Sequence, residues 1–210
     1  MSMKLKLVTP PASEPITLTS VKDHLRLDLS YLNDDRVLSS LITAARAYVE
    51  EYLGRALVTQ TWDLWLDGWP YDNRPAKSHI DIPLPPLQSV TSLTYWDVDS
   101  TEYTLTEGTE FTVDTESLIG RIVLDYDESW PTEQLHPNNP IKIRFVAGYL
   151  DTSSPPVSVD GVPAPIKHAM RLLIGHWHAS RMAVGVDQMY DIPFGVKAIL
   201  GPYRVQRWWI

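Results

Sequence analysis

The 210-residue chain contains no cysteine. That absence excludes a disulfide framework, thiolate zinc sites, iron–sulfur clusters and cysteine nucleophiles. A positive excess is missing as well: 18 Lys and Arg against 26 Asp and Glu leave a formal net charge of −8, whereas a general DNA binder needs a basic surface to meet phosphates. No apolar run approaches the roughly 20 residues that cross a bilayer. The opening stretch, residues 1–10, lacks the apolar segment of a secretory signal, so the expectation is a soluble cytoplasmic protein without membrane contact. With 44% hydrophobic and 21% charged residues, the composition is that of a globular chain. At roughly 100–200 residues per domain, the length fits one domain, or one domain with an insertion.

The usual signatures of catalysis are also missing. There is no Gly-x-Ser-x-Gly elbow, no Gly-x-x-x-x-Gly-Lys-Ser/Thr phosphate loop and no Gly-x-Gly-x-x-Gly. His176-Trp177-His178 resembles a metal pair, but residues two apart on a helix point to different sides. Asp125-Tyr126-Asp127-Glu128 is the best local carboxylate cluster. It lacks the glycine and closing Glu of a calcium loop, and nothing beside it sets one acid in an apolar pocket next to a second ionised one. The expectation is a protein that is not an enzyme and needs no cofactor or metal.

What is abundant is tryptophan, with 8 residues, and proline, with 17. Pro10, Pro11 and Pro15 make residues 1–18 an extended arm. Ser20-Val21-Lys22-Asp23 fits a capping pattern for a short helix through about Leu27. Asn33-Asp34-Asp35 supplies cap chemistry for a longer one, whose apolar positions Val37, Leu38, Leu41, Ile42, Ala45, Tyr48, Val49, Tyr52 and Leu53 form one stripe ending at Gly54. From Ala56 the period changes. Val58–Leu66, His79–Ile82, Val90–Trp96, Glu102–Leu105, Phe111–Val113, Arg121–Leu124 and Ile141–Val146 read as strands separated by turn residues, with Pro83–Pro86 at a sheet edge. Helical spacing returns with Pro165 in a first turn and Ile166, Met170, Leu173, Ile174 and Trp177 on one stripe. Asp191-Ile192-Pro193 caps a last short helix that Pro202 stops. The fold class is α+β: a small helical bundle formed by the N- and C-terminal helices, with an inserted antiparallel β domain. The boundaries are 1–55, 56–150 and 151–210, the first and last forming one unit.

Charge is unevenly distributed. Residues 94–136 hold eleven acidic side chains and one basic one, a net of −10, while residues 163–210 carry a net of +4. Such asymmetry suits different neighbours at two ends, or simply two solvated faces. The chain closes on Tyr203-Arg204-Val205-Gln206-Arg207-Trp208-Trp209-Ile210. Arg and Trp carry much of the binding energy at protein interfaces, so this segment is either folded onto its own core or inserted into a partner. Trp62, Trp65, Trp69 and Trp96 permit another class, a carbohydrate-binding module. Trp62 and Trp65, three apart in a strand, face opposite sides, which makes a flat platform the weaker arrangement.

Several strings are similar to those of head–tail connector proteins of long-tailed bacteriophages and prophages. They include Ile16-Thr17-Leu18-Thr19-Ser20-Val21-Lys22-Asp23-His24-Leu25-Arg26, Ala44–Leu57, Gln60-Thr61-Trp62 and Leu84–Val90. Phe145-Val146-Ala147-Gly148-Tyr149, Val162–Lys167 and Pro202-Tyr203-Arg204 continue the series. The resemblance spans nearly the whole chain in order. It implies a structural adaptor in the virion neck, assembled in the host cytoplasm as a ring of usually twelve copies. The ring sits beneath the portal protein and extends the DNA channel towards a stopper and the tail, with DNA passing through without specific binding. On that reading Tyr203, Arg204, Arg207, Trp208, Trp209 and Ile210 are the portal hook. Tyr48, Tyr52, Arg171, His178 and Arg181 lie on helix faces that meet neighbouring subunits. The acidic lobe, with Asp97, Asp99, Glu102 and Glu107, faces the channel or the tail, where a negative wall repels phosphates.

Overall fold

The computed structural model describes residues 3–70, 79–150, 161–179 and 194–205. In chain order its elements are β1 (Met3–Thr9), α1 (Leu18–Leu25), α2 (Asp35–Leu53), β2 (Gln60–Leu66), β3 (His79–Asp81), β4 (Leu87–Trp96), β5 (Glu102–Leu105), β6 (Phe111–Asp114), β7 (Arg121–Leu124), β8 (Ile141–Ala147), α3 (Ala164–Ala179) and α4 (Phe194–Leu200). Helices and strands of both kinds make it an α+β protein, and the chain divides into two compact units.

One unit holds the helices. Leu38, Ile42, Ala45, Val49 and Leu53 of α2 share a buried cluster with Ile166, Ala169, Met170, Leu173 and Ile174 of α3 and with Val196 and Leu200 of α4. The i, i+3, i+4 spacing of these residues creates the stripe, and burying each large side chain contributes about 1.5–3 kcal/mol. Gly54 ends α2 in the left-handed region at φ 66°, which a residue without Cβ adopts freely. Asp34 stands at the N-cap of α2 but makes no capping bond there.

The start of α1 differs from the sequence expectation. Its cap is Thr17, whose hydroxyl accepts the Ser20 amide at 3.1 Å, and not Ser20. The deciding contact is apolar: Ile16 and Val21, either side of the cap, are both buried in the core cluster in the arrangement of a hydrophobic staple.

The other unit holds the strands. A five-stranded sheet runs β1-β2-β8-β4-β5 with every neighbouring pair antiparallel, and a three-stranded sheet runs β3-β7-β6. Period-two alternation is clear in β8, where Ile141, Ile143, Phe145 and Ala147 are buried while Lys142, Arg144 and Val146 are half-exposed. Leu64, Leu66, Leu93 and Tyr95 bury the same face of the larger sheet, and Ile80, Ile122 and Phe111 are buried from the smaller one. Trp69 stacks on Trp130 at 4.8 Å between ring centroids and meets Tyr95 edge-on. Gly120, just before β7, abuts Leu87 so closely that a Cβ would overlap its side chain.

Two further expectations change here. The arm is not a bare extended segment grouped with the helices: residues 3–9 are β1, paired with β2 from Met3↔Leu66 to Thr9↔Thr61. Alternation of Lys4, Leu5, Lys6 and Leu7 supplies a two-sided strand, which the prolines that follow obscure. Pro83–Pro86 does not lie in an edge strand but in the turn between β3 and β4, and β4 is internal, between β8 and β5.

Candidate assembly surfaces

The helical unit places the approach to the C-terminus. After α4, a 3₁₀ turn at Gly201–Tyr203 brings the chain to the end of α2. The buried Arg55 donates through Nε to the Tyr203 carbonyl at 2.7 Å, and the Val205 amide donates to the Leu53 carbonyl at 2.8 Å. The Arg204 guanidinium lies 5.3 Å from the centroid of the Tyr52 ring, within cation–π range. Tyr203 and Arg204 therefore engage their own helix. Arg207, Trp208, Trp209 and Ile210 lie outside the described residues.

The helix-face candidates are also engaged within the chain. Tyr48 stacks on Tyr52 with centroids 6.3 Å apart and meets Trp177 edge-on. Arg171 donates to the Ser20 hydroxyl at 3.0 Å, and the His178 ring sits 3.4 Å from Asp34. Arg181 lies outside the described residues. The outward side of α2 is instead Val37, Ser40, Ala44, Ala47 and Glu51, all exposed. Leu29, Tyr31 and Leu32 in the α1–α2 connection are exposed too, Leu32 to 68%. That connection is held rigidly: the buried Lys22 ammonium donates to the carbonyls of Leu29 (3.3 Å) and Tyr31 (2.8 Å) and contacts the Asp35 carboxylate at 2.6 Å. Exposed large apolar side chains are thus concentrated on one fixed loop, a feature of surfaces that meet other macromolecules. Charge and capping pattern do not reveal it in the sequence, because exposure is decided by the fold.

The acidity of the β unit is largely turn chemistry. Asp97 accepts the amides of Asp99 and Thr101, each at 2.9 Å, and the Tyr103 hydroxyl at 3.2 Å. These bonds, led by the Thr101 amide, hold its pKa below the ordinary carboxylate value. Glu110 accepts the Thr106 amide, and Asp125 the Tyr126 amide. Asp114 accepts the Ser117 hydroxyl at 2.7 Å, the Ser117 and Glu116 amides and Arg121 Nε at 2.9 Å. The Ser117 bonds foremost lower its pKa to about 2. Each such carboxylate satisfies backbone donors that a tight turn leaves free. Asp99, Glu102 and Glu107 are exposed and supply the open negative surface.

On the face of the large sheet opposite its buried side, Trp65 and Trp96 stack at 5.8 Å, with the Lys142 ammonium 5.7 and 5.0 Å from their centroids. With Ser100, His136, Asn138 and Asn139 they line a recess of about 230 Å³. Trp62 is on the other face and Trp69 is buried, so the four tryptophans form a pair and not a platform. The pairing joins positions 31 residues apart through strand register, which local sequence does not carry.

Among the described residues no group of three or more His, Cys, Asp or Glu could hold a metal ion, and no helix is long and apolar enough to cross a membrane.

Residues 15–117 match the family model described as phage gp6-like head–tail connector protein. Over that span the chain is similar to the phage head–tail connector family. The family is one of structural components, not enzymes. Among solved structures, the chain is similar to one from the neck of an empty GTA particle computed with C6 symmetry. The TM-score is 0.74 at 23% identity, covering 97% of this chain and 96% of that one. It is also similar to chains from the virion of a native gene transfer agent particle (TM-score 0.72, 22% identity) and from the neck of a native GTA particle computed with C12 symmetry (TM-score 0.71, 22% identity), with the same coverage. No curated protein matches the chain.

Proposed function

We propose that this protein is the adaptor of a head–tail connector: a ring, of twelve copies, that sits below the portal and extends the DNA channel towards the stopper and tail. The match of residues 15–117 to the connector family carries this reading. Fold likeness to neck chains over 97% of the length supports it. The architecture behind it is a helical bundle drawn from both ends of the chain, with the β domain inserted.

In this ring the outward stripe of α2 and the exposed Leu29, Tyr31, Leu32 and Val37 meet a neighbouring subunit. Small residues at Ala44 and Ala47 let helices approach closely, and the apolar side chains around them leave water together. Tyr48, Tyr52, Arg171, His178 and Arg181 set the shape of that face from behind or beside it. Residues 207–210 are the portal hook, leaving the fold at the pinned Tyr203–Val205. The acidic lobe lines the channel or faces the tail, and its exposed Asp99, Glu102 and Glu107 keep phosphates from sticking. Particles are assembled in the host cytoplasm, and the protein resides in the virion neck.

Electron microscopy of the protein mixed with its portal tests the proposal. A ring on the portal is expected, and a strictly monomeric protein in that mixture removes the reading. The Trp65–Trp96 recess favours a second reading, a sugar site. Oligosaccharide titration monitored by Trp fluorescence separates the two, because an adaptor gives no saturable change.

A further inference from the structure

The five-stranded sheet has two outer edges, β1 and β5, and among the described residues no strand pairs with either. An open edge presents a row of backbone donors and acceptors to any strand that fits it. These two edges fit each other. The register Lys4↔Trp65↔Lys142↔Thr94↔Thr104 puts Lys4 and Lys6 on the same sheet face as Glu102 and Thr104. The register Leu5↔Leu64↔Ile143↔Leu93↔Leu105 puts Leu5 and Leu7 on the same face as Tyr103 and Leu105. One edge is thus basic on the face where the other is acidic. On the opposite face each edge leaves a large apolar side chain uncovered, Leu7 at 41% and Tyr103 at 40% exposure.

We propose that successive copies of this chain join sheet to sheet, the outer edge of β1 in one copy lying beside the outer edge of β5 in the next. The inference rests on the ring reading above and names one of its contacts. Because all five strands alternate in direction, β1 and β5 run the same way, and a continued sheet pairs them in parallel over the four residues of β5. Lysine then faces glutamate across the junction on one side, and Leu7 and Tyr103 lose water on the other. Lysines on an edge strand by themselves are a common guard against aggregation. Here they reject only a second β1, since like charges opposite one another destabilise a pair, as Glu102 rejects a second β5. The mixed pairing is the one left favourable. A contact between two different surfaces propagates head to tail and closes as a ring when the rotation permits.

The absence of cysteine makes the test clean. Lys4→Cys or Lys6→Cys protein is mixed with Glu102→Cys protein, assembled on portal and mildly oxidised, with rings checked by electron microscopy. Same-face Cβ atoms on neighbouring strands lie roughly 5 Å apart, near the upper end of disulfide reach, whereas opposite-face ones point away from each other. At least one of the two mixtures is expected to give an intermolecular cross-link at least tenfold above Leu7→Cys mixed with Glu102→Cys, whose thiols point to opposite faces. Rings without a cross-link above that control overturn the sheet junction and leave the ring reading intact. No rings with any variant or with the unmodified chain removes the ring reading, and this contact with it.

Discussion

Lys22 shows how one side chain can fix a surface without being part of it. Its buried ammonium gathers two carbonyls and Asp35 and so sets the course of residues 26–34. Lys22→Met should cost about 2–3 kcal/mol, because the carbonyls and a half-buried carboxylate lose their partner; urea unfolding measures it, and a change below 0.5 kcal/mol, roughly the noise of surface substitutions, would contradict the role. Asp114 gives a pH signature. Its carboxyl lies well below the ordinary value when folded, at about 2, so its stabilising effect is present above the unfolded value of roughly 3.9 and fades as pH falls towards the folded one. The stability gap between wild type and Asp114→Asn should therefore be largest near neutrality and close in acid, as paired thermal melts would show. Neither role was legible beforehand: a buried lysine and an acid wrapped by its own turn look like ordinary charged positions in a sequence.

At the scale of elements, periodicity carried most of the information. The stripe of α2, the return of helical spacing at Pro165 and the alternation of β8 each predict the element found, since one buried face imposes its period on the residues. The exceptions have physical causes. β1 is an edge strand, five of whose seven positions are exposed, so its alternation stands beside three prolines with little burial to support it. The α1 cap differs because two hydroxyl residues compete and the burial of both Ile16 and Val21 in the core cluster decides between them. Gly120 meets Leu87, 33 positions away in the chain, a contact that local sequence does not carry. Gly120→Ala should destabilise by about 1–3 kcal/mol through overpacking against Leu87, while Gly68→Ala, where nothing lies within 4 Å of the added carbon, should be nearly silent in the same denaturation series.

At the scale of the whole molecule, the family was legible from ordered short strings, while the surfaces were not. Exposure at Leu29, Tyr31 and Leu32, and the two sheet edges that no strand pairs among the described residues, emerge only once the strands are in register. Deleting residues 207–210 should abolish attachment to portal while circular dichroism and thermal stability stay unchanged; retained attachment would remove the hook. For the acidic lobe, Asp99→Lys and Glu107→Lys should slow DNA exit from assembled particles, whereas Asp97→Lys would also break the turn it holds. The pin at Val205 adds a constraint on anchorage. A chain spans at most roughly 3.3–3.6 Å per residue, so Trp209, four residues on, stays within about 14 Å of Val205, whose amide lies 2.8 Å from the Leu53 carbonyl. If residues 207–210 hold the portal, the groove that receives them lies within that reach of the end of α2.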